Sequence, residues 1–509
     1  MRIEVVIPED RPRRWHLGVV EALAGRPGTT VGVVAIAEDP SPAGLDLLFR
    51  LERLIGRRAE SLAVDPVAPD AFAAHPPLAG RADLVVDLTG AQPASDAAVR
   101  LRVTCGGLPP LAGAVTALLD GADPMLEAER GDAAGTRIVE RWFVAVEERR
   151  RAIAAVSMIL ARLAHLVRRC VGDLADPERV ATARPLPPPP APRRGRSANT
   201  AALARETLGR RVLARLMRRL ETPDDWRTIW RLRDPASPAD RPERDPTAFA
   251  MVPDDGRRFY ADPFPFRFGD RVHLFVEEFP HATGKGILSV AEVAGDGRPG
   301  PFRPFLETDC HLSYPQVFAA EGATLMIPET TGRRTVELWR AIEPPDRWEL
   351  DTVLISGTEL HDPTLVESDG RWFLYGTGRE AGSSSWDALH VWTAPALRGP
   401  WTEIGPGPLR VDVASVRPAG RPFRTDDGGL MRPVQDSSRG YGSALAITRF
   451  DPARPGEETI ERRIAPAAPW SGLHTWNRAA HRAGTFEVMD LFGPARPPGD
   501  PIRPFAADR

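Results

Sequence analysis

Lysine is all but missing from this chain: Lys285 stands alone among 66 basic residues. Arginine supplies the rest, and alanine and the 53 prolines are also abundant. A composition biased throughout explains this better than an arginine-specific task, so arginine clusters carry no functional weight. Cysteine is scarce too. Cys105, Cys170 and Cys310 are scattered without metal-ligand spacing and read as ordinary reduced thiols. A formal net charge of −3 removes any electrostatic argument for nucleic acid. No apolar signal core follows Met1, so export through a cleaved peptide is not expected and the cytoplasm is the default compartment. The apolar run Ala152 to Val167 is short and broken by Arg162, which favours a buried helix over a membrane span. No cofactor and no metal are expected.

What is present is a repeat. Tyr260-Ala-Asp-Pro-Phe-Pro-Phe-Arg-Phe, a turn at Gly269-Asp270 and a second apolar run to Glu278 make a β-hairpin. Tyr314-Pro-Gln-Val-Phe, turned at Glu321-Gly322, and Asp362-Pro-Thr-Leu-Val, turned at Asp369-Gly370, repeat the construction. Counting back from each turn sets 262 opposite 277, 314 opposite 329 and 362 opposite 377. Looser copies start at Arg417, looping through 425–429 to Gln435-Asp436, and at Asn477, turned at Ala483-Gly484 and returning to Asp490. The anchors 262, 314, 362, 417 and 477 are 52, 48, 55 and 60 residues apart. A period near fifty built from short strands predicts a propeller of five blades.

At 509 residues more than one domain is expected. Residues 1–180 alternate strand and helix: strands at 3–7, 31–36 and 84–88, helices at 15–23 and 44–55, and a long helix or helix pair over 136–170. That rhythm predicts a parallel, Rossmann-like α/β sheet, with Thr89-Gly90 at the strand end where such sheets bind ligands, although no glycine-rich phosphate fingerprint occurs there. In strand order and in the stretch 84–107 this region resembles the amino-terminal domain of formyltransferases. The resemblance implies an asparagine, a histidine and an aspartate as catalytic groups. His16, His75 and His165 have no neighbouring asparagine, so the scaffold is expected without that chemistry.

Residues 181–225 hold a proline-rich basic stretch over 183–200, stiffened towards polyproline II, and a basic amphipathic helix over 200–220. Such a helix can lie on an anionic membrane surface, though packing against a domain is commoner. Residues 226–509 form the propeller, with 226–232 either an early strand or the one that closes the ring.

In a propeller the innermost strands bring side chains from all blades into one axial funnel. The anchors and their cross-strand partners bring Asp262, Asp362, Glu277, Glu329 and Asp490 together with aromatic and amide groups, a set that suits a carbohydrate. Two carboxylates across a glycosidic bond supply an acid and a base, and crowding raises one of their pKa values. Equally, Asp-Pro can cap a strand and hold blades together, Glu277 and Glu329 can pair with Arg417 or Arg478, and Tyr314 and Trp476 can fill the space between blades. His311, His361 and His474 lie beside anchors as possible metal ligands or a proton relay, more commonly as backbone partners.

Across 255–495 the motifs Tyr260-Ala-Asp-Pro-Phe, Phe275-Val-Glu-Glu-Phe, His311-Leu-Ser-Tyr-Pro-Gln-Val, Arg432-Pro-Val-Gln-Asp and His474-Thr-Trp-Asn-Arg resemble the propeller domain at the amino end of glucosamine inositolphosphorylceramide transferases. The same domain occurs in bacterial proteins with a formyltransferase-like front. More distantly the region is similar to the five-bladed arabinanase, levansucrase and invertase superfamily. That likeness implies Asp262 as general base or nucleophile, Asp362 as the orienting aspartate, and Glu329, Glu278 or Glu277 as general acid. The superfamily's usual acid position falls on a later blade, where this chain has Thr377 and Gln435. Tyr314, Arg417, Gln435, Asp436, His474, Trp476, Asn477 and Arg478 are the candidate substrate contacts. Three functions stay open: a glycosidase-like or transglycosylating enzyme; a binding module presenting a glycan or glycolipid to a separate glycosyltransferase; and a formyl or acyl transferase acting on an amino sugar.

Overall fold

The computed structural model describes residues 1–37, 42–56, 62–91, 97–174, 199–209, 224–233, 241–405, 407–494 and 500–505. Two compact units form, Met1–Leu220 with Glu380–Ser384, and Glu221–Arg379 with Ser385–Arg509.

In the first unit β1 (Arg2–Pro8), α1 (Arg14–Ala24), β2 (Thr30–Ile36), α2 (Leu45–Gly56), β3 (Leu84–Asp87), β4 (Val99–Cys105), α3 (Pro110–Asp120), β5 (Met125–Asp132), β6 (Gly135–Phe143) and α4 (Ala152–Leu174) follow one another. The sheet runs β2-β1-β3-β4-β5-β6. Its first four strands are parallel, but β5 and β6 are antiparallel, so the expected parallel sheet is mixed. The helix expected from 136 begins only at Ala152, because a tight turn before Gly135 sends the chain back as a strand. Asp132 Oδ1 accepts from Ala134 N in that turn (2.9 Å). The buried Glu52 of α2 accepts from the first amides of α4, Ala152 N (3.1 Å) and Ile153 N (2.8 Å), placing a carboxylate at the positive end of the helix. No described helix is long and apolar enough to cross a membrane. Residues 183–198 of the proline-rich stretch and 210–220 of the basic helix lie outside the described residues, and Thr200–Ala204 is helical.

The second unit is a five-bladed propeller. Its blades begin with the inner strands Arg258–Phe268, Ser313–Ala320, Leu360–Ser368, Phe423–Arg424 and Gly472–His481, each followed outward by antiparallel strands. The last blade takes its two outer strands, Asp225–Arg233 and Ala250–Met251, from before the first. Residues 226–232 therefore close the ring. Five apolar clusters fill the five seams, one between each pair of neighbouring blades. Phe264, Phe275, Tyr314 and Trp339 lie in the first seam, and Val272, Leu274, Phe486 and Val488 in the one joining the last blade to the first. Each such side chain fully removed from water stabilises the fold by roughly 1.5–3 kcal/mol.

Inner-strand register departs from simple counting. Glu277 pairs with Ala261, Glu329 with Ser313 and Thr377 with His361, each one residue before the anchor. The reason is a β-bulge in each inner strand, where Asp262-Pro263, Tyr314-Pro315 and Asp362-Pro363 each face a single residue. Asp262, Tyr314 and Asp362 adopt left-handed φ of 47°, 48° and 50°. In the last blade the bulge holds His474-Thr475 opposite Asp490, so the structural counterpart of Asp262 is His474 and not Asn477.

Candidate functional site

The bulges bring Asp262, Asp362 and His474 to the axis, while Tyr314 turns into the first seam. A cavity of about 220 Å³ there is lined by Asp262, Glu277, Glu329, Asp362, Arg417 and His474, with Ala261 and Ser313 beside them and Trp226, Phe259, Phe279, His311 and Tyr441 towards its mouth. The acids are deep: Asp262 is 3 %, Glu277 7 %, Glu329 5 % and Asp362 1 % exposed, against 36 % for Tyr441.

Each acid has its own setting. Asp262 is held on both oxygens: Oδ1 accepts from Thr475 Oγ1 (2.7 Å) and lies 3.0 Å from His474 Nδ1, while Oδ2 accepts from Tyr314 N (3.2 Å). Its own amide donates to Asp490 Oδ2 (2.9 Å), which lies 3.3 Å from the same imidazole nitrogen. Asp262, His474 and Asp490 place one ligand atom each within 4.8 Å of one another. Protons and backbone amides already occupy those atoms. Burial works against a charge on His474, but Tyr441, Asp262 and Asp490 overcome it and hold the imidazole's pKa well above its ordinary value.

Glu329 accepts from Asp362 N on Oε2 (2.8 Å) and meets His361 Nδ1 on Oε1 (3.2 Å). Burial opposes its charge, yet His361 and Arg417 prevail and keep it below the usual carboxylate range. His361 rises to about 9, since Glu329 and Glu359 outweigh its burial. Asp362 receives Arg417 Nε (2.6 Å) and Gln435 Nε2 (2.9 Å) on Oδ2 alone, leaving Oδ1 without a hydrogen bond among the described residues. Burial lifts Asp362 to about 6 even with Arg417 beside it.

Glu277 differs from the rest. No hydrogen bond reaches its carboxyl among the described residues; its neighbour is His311, with Nε2 3.4 Å from Oε1. His311 Nδ1 accepts from Gly286 N (2.9 Å), so the ring's remaining proton sits on Nε2 and faces the acid. Gly286 must be glycine, because a Cβ there would lie 2.7 Å from Glu277 Oε1 and 2.6 Å from Leu312 O. The sole lysine braces this corner, Lys285 Nζ donating to Thr308 O (2.6 Å). Burial first, then the charges of Asp262 and Glu329, push Glu277 well above the usual carboxylate range, so it keeps its proton where an ordinary glutamate has lost it.

Several candidates stand elsewhere. Glu278 alternates to the opposite face of its strand, pairing with Arg258 and accepting from Ser289 Oγ (2.6 Å). Tyr314 is buried in the first seam, its hydroxyl accepting from Gly420 N (2.7 Å) and bonding Thr364 Oγ1 (2.9 Å). Gln435 supports Asp362 from behind, and Asp436 is tied to Arg463 and Ser438. Trp476 packs in the seam between the fourth and fifth blades with Nε1 on Glu487 Oε1 (2.8 Å), Asn477 joins blades through Pro263 O (2.9 Å), and Arg478 lies 4.4 Å over Phe423. In the last blade the bulge gives the axial position to His474, and Trp476, Asn477 and Arg478 follow it, outside the cavity's lining. Trp226, Phe259 and Phe279 were not foreseen as lining, since Trp226 precedes the repeat and Phe259 and Phe279 flank the Tyr260–Glu278 hairpin read from the sequence. Tyr441 binds both Arg417 Nη2 (3.2 Å) and His474 Nε2 (2.7 Å).

A closed ring of five blades with carboxyl groups from separate blades around one axial cavity defines a propeller with an acid-lined funnel. Residues 236–491 match the family model "Glucosamine inositolphosphorylceramide transferase 1, N-terminal", and the chain belongs to that family. It is 31% identical over 279 residues to glucosamine inositolphosphorylceramide transferase 1 of Oryza sativa subsp. japonica, covering 52% of this chain and 37% of that protein. It is 28% identical over 276 residues to the Arabidopsis thaliana protein of the same name, covering 53% and 35%. The chain thus spans little more than a third of the length of these relatives. Among solved structures it is similar to the GH43_1 enzyme from Xanthomonas citri complexed with xylose, at 13% identity and a TM-score of 0.36, covering 49% of this chain and 90% of that one. The family match begins at 236, so the region expected to be formyltransferase-like lies outside it.

Proposed function

We propose that the funnel binds a sugar and cleaves or transfers a glycosidic bond there, with Glu277 as general acid and Asp362 as the ionised partner. One observation carries this reading. A carboxyl held protonated and a carboxylate with a free oxygen line the same cavity, on different blades, and environments that push two acids apart in pKa separate the acid from the base. Asp262 suits a structural task better than the base, since both its oxygens already accept hydrogen bonds. Glu329 suits an electrostatic task, held ionised beside the developing charge. Glu277 gives its proton to the leaving oxygen as the glycosidic C–O bond breaks, and Asp362 takes the proton of the water or sugar hydroxyl whose oxygen bonds to the anomeric carbon.

The family membership supports a sugar-related task, as do the relatives named for glucosamine and inositolphosphorylceramide; a glycolipid head group is the corresponding ligand for this chain. The test is a glycan-array and turnover screen of the protein beside Glu277→Gln and Asp262→Asn. Turnover by the native protein that vanishes in Glu277→Gln while binding persists supports the assignment. Binding in all three with turnover in none makes the funnel a recognition module serving a separate glycosyltransferase, a reading favoured by how many carboxylate oxygens are spent on joining blades. A formyl or acyl transferase is the weakest reading: no asparagine precedes Asn199, and the buried His16 accepts from Arg13 N (2.9 Å).

A further inference from the structure

Taking the carbohydrate reading of the funnel as given, we infer that it accepts one uncharged terminal sugar ring and turns away acidic sugars, sugar phosphates and sugar nucleotides. Three observations lead there.

The first is depth. The cavity is graded from fully buried acids to partly exposed Trp226, Phe259, Phe279 and Tyr441 at the mouth. The axis is crossed by bonds between blades: Tyr314 of the second blade is 0 % exposed and joins Thr364 of the third and Gly420 of the fourth through its hydroxyl, and Asp490 of the last, also 0 % exposed, accepts from the Asp262 amide of the first. A polymer therefore cannot thread through the axis, and only an end or a head group reaches Glu277.

The second is size. About 220 Å³ falls below the roughly 300–1,000 Å³ of sites that enclose drug-sized ligands, and leaves room for one ring with a few waters. Phe259 and Phe279 stack with centroids 4.8 Å apart and planes 9° apart, offering flat apolar surface at the mouth, where a ring's CH face can rest.

The third is charge. Among the described lining residues the one guanidinium is Arg417, and each of its nitrogens has an acceptor: Nε has Asp362 Oδ2 (2.6 Å), Nη1 Ser385 O (3.5 Å) and Nη2 Tyr441 OH (3.2 Å). His474 is held by Asp262 and Asp490 on one nitrogen and Tyr441 on the other. His311 turns its Nε2 to Glu277. Among the described lining residues every cation already has a partner, while Asp262, Glu329 and Asp362 would repel a phosphate or carboxylate from inside a site that water screens poorly. Sugar hydroxyls, which both donate and accept, fit the same groups without that penalty.

The experiment is calorimetric titration of the full chain with sugars of one to four rings, each paired with its uronic acid or sugar phosphate, and with nucleotide sugars. Support is an affinity that changes less than about threefold beyond one ring, with anionic counterparts at least about tenfold weaker. Affinity that climbs about tenfold with a second or third ring, or an anionic counterpart binding as tightly, overturns the inference while leaving the carbohydrate reading in place. Binding of no sugar at all removes both. Asp362→Asn, which frees Arg417, should shrink the discrimination against anions in a chain whose fold is checked by circular dichroism. A folded Asp362→Asn with discrimination unchanged would count against the charge argument.

Discussion

Glu277 and Asp362 sit in one cavity yet differ in what surrounds their oxygens, and that difference is testable one residue at a time. Glu277→Gln keeps the shape of the protonated acid and removes its proton, so kcat should fall about 10²–10⁴-fold with KM within about threefold. A loss confined to KM would mean that Glu277 only binds. Asp362 titrates at about 6, so the native rate should climb as pH rises through that value and the carboxylate forms. Asp362→Asn should abolish that limb in a pH–rate profile, and a limb that survives assigns it to another group. Little of this was legible in the sequence. Glu277, Glu278 and Glu329 stood as equals because composition says nothing about which oxygens are already bonded. Only the Gly286 contact and the lack of a hydrogen bond to its carboxyl among the described residues single out Glu277.

The bulged inner strand is the element that sets the site. Hairpin turns were readable from Gly269-Asp270, Glu321-Gly322 and Asp369-Gly370, and pairs Phe268–Arg271, Ala320–Ala323 and Ser368–Arg371 flank them as counted. Left-handed φ at Glu321, Gly322, Asp369 and Gly370 matches the primed turns that suit twisted strands. Counting failed one step further in, because a bulge has no composition signal apart from the proline that follows it. Each left-handed residue there stores roughly 1–3 kcal/mol of strain, offset by the hydrogen bonds its side chain makes across the ring. Tyr314→Phe leaves the Gly420 amide without its acceptor and should lower stability by about 1–3 kcal/mol in urea unfolding. The Glu329–His361 pair between the second and third blades predicts a pH signature. His361 rises from 6.5 to about 9, so its contribution is fully present below pH 6.5 and fades as pH rises through about 9. Glu329 is depressed, so its contribution holds above its ordinary 4.5 and fades as pH falls. Midpoints of unfolding should therefore decline on the alkaline side, and His361→Gln should flatten that decline.

At the scale of the molecule the closing blade is the vulnerable one. Arg231 and Arg233 on Asp225–Arg233 meet Glu487 on Gly484–Gly493, with Asp245 completing a buried network (Arg231 Nε to Glu487 Oε2 2.6 Å, Arg233 Nε to Asp245 Oδ2 3.3 Å). Removing one member of a buried ion pair leaves the others uncompensated, so Glu487→Gln should cost about 3–5 kcal/mol, measured by calorimetric unfolding. The ring itself was legible, since a fifty-residue period survives any local irregularity. The mixed sheet of the first unit was not, because β6 repeats the apolar spacing of a helix start and only the turn at Gly135 distinguishes them. Closure by an early strand also fixes an order of events during synthesis. Asp225–Arg233 leaves the ribosome ahead of every blade, and its partner Gly484–Gly493 emerges only after almost the whole circle has been translated. Until then the nascent chain carries an unmatched edge, the kind that invites pairing with foreign strands. A stalled or clipped product lacking its last blade would keep that edge open.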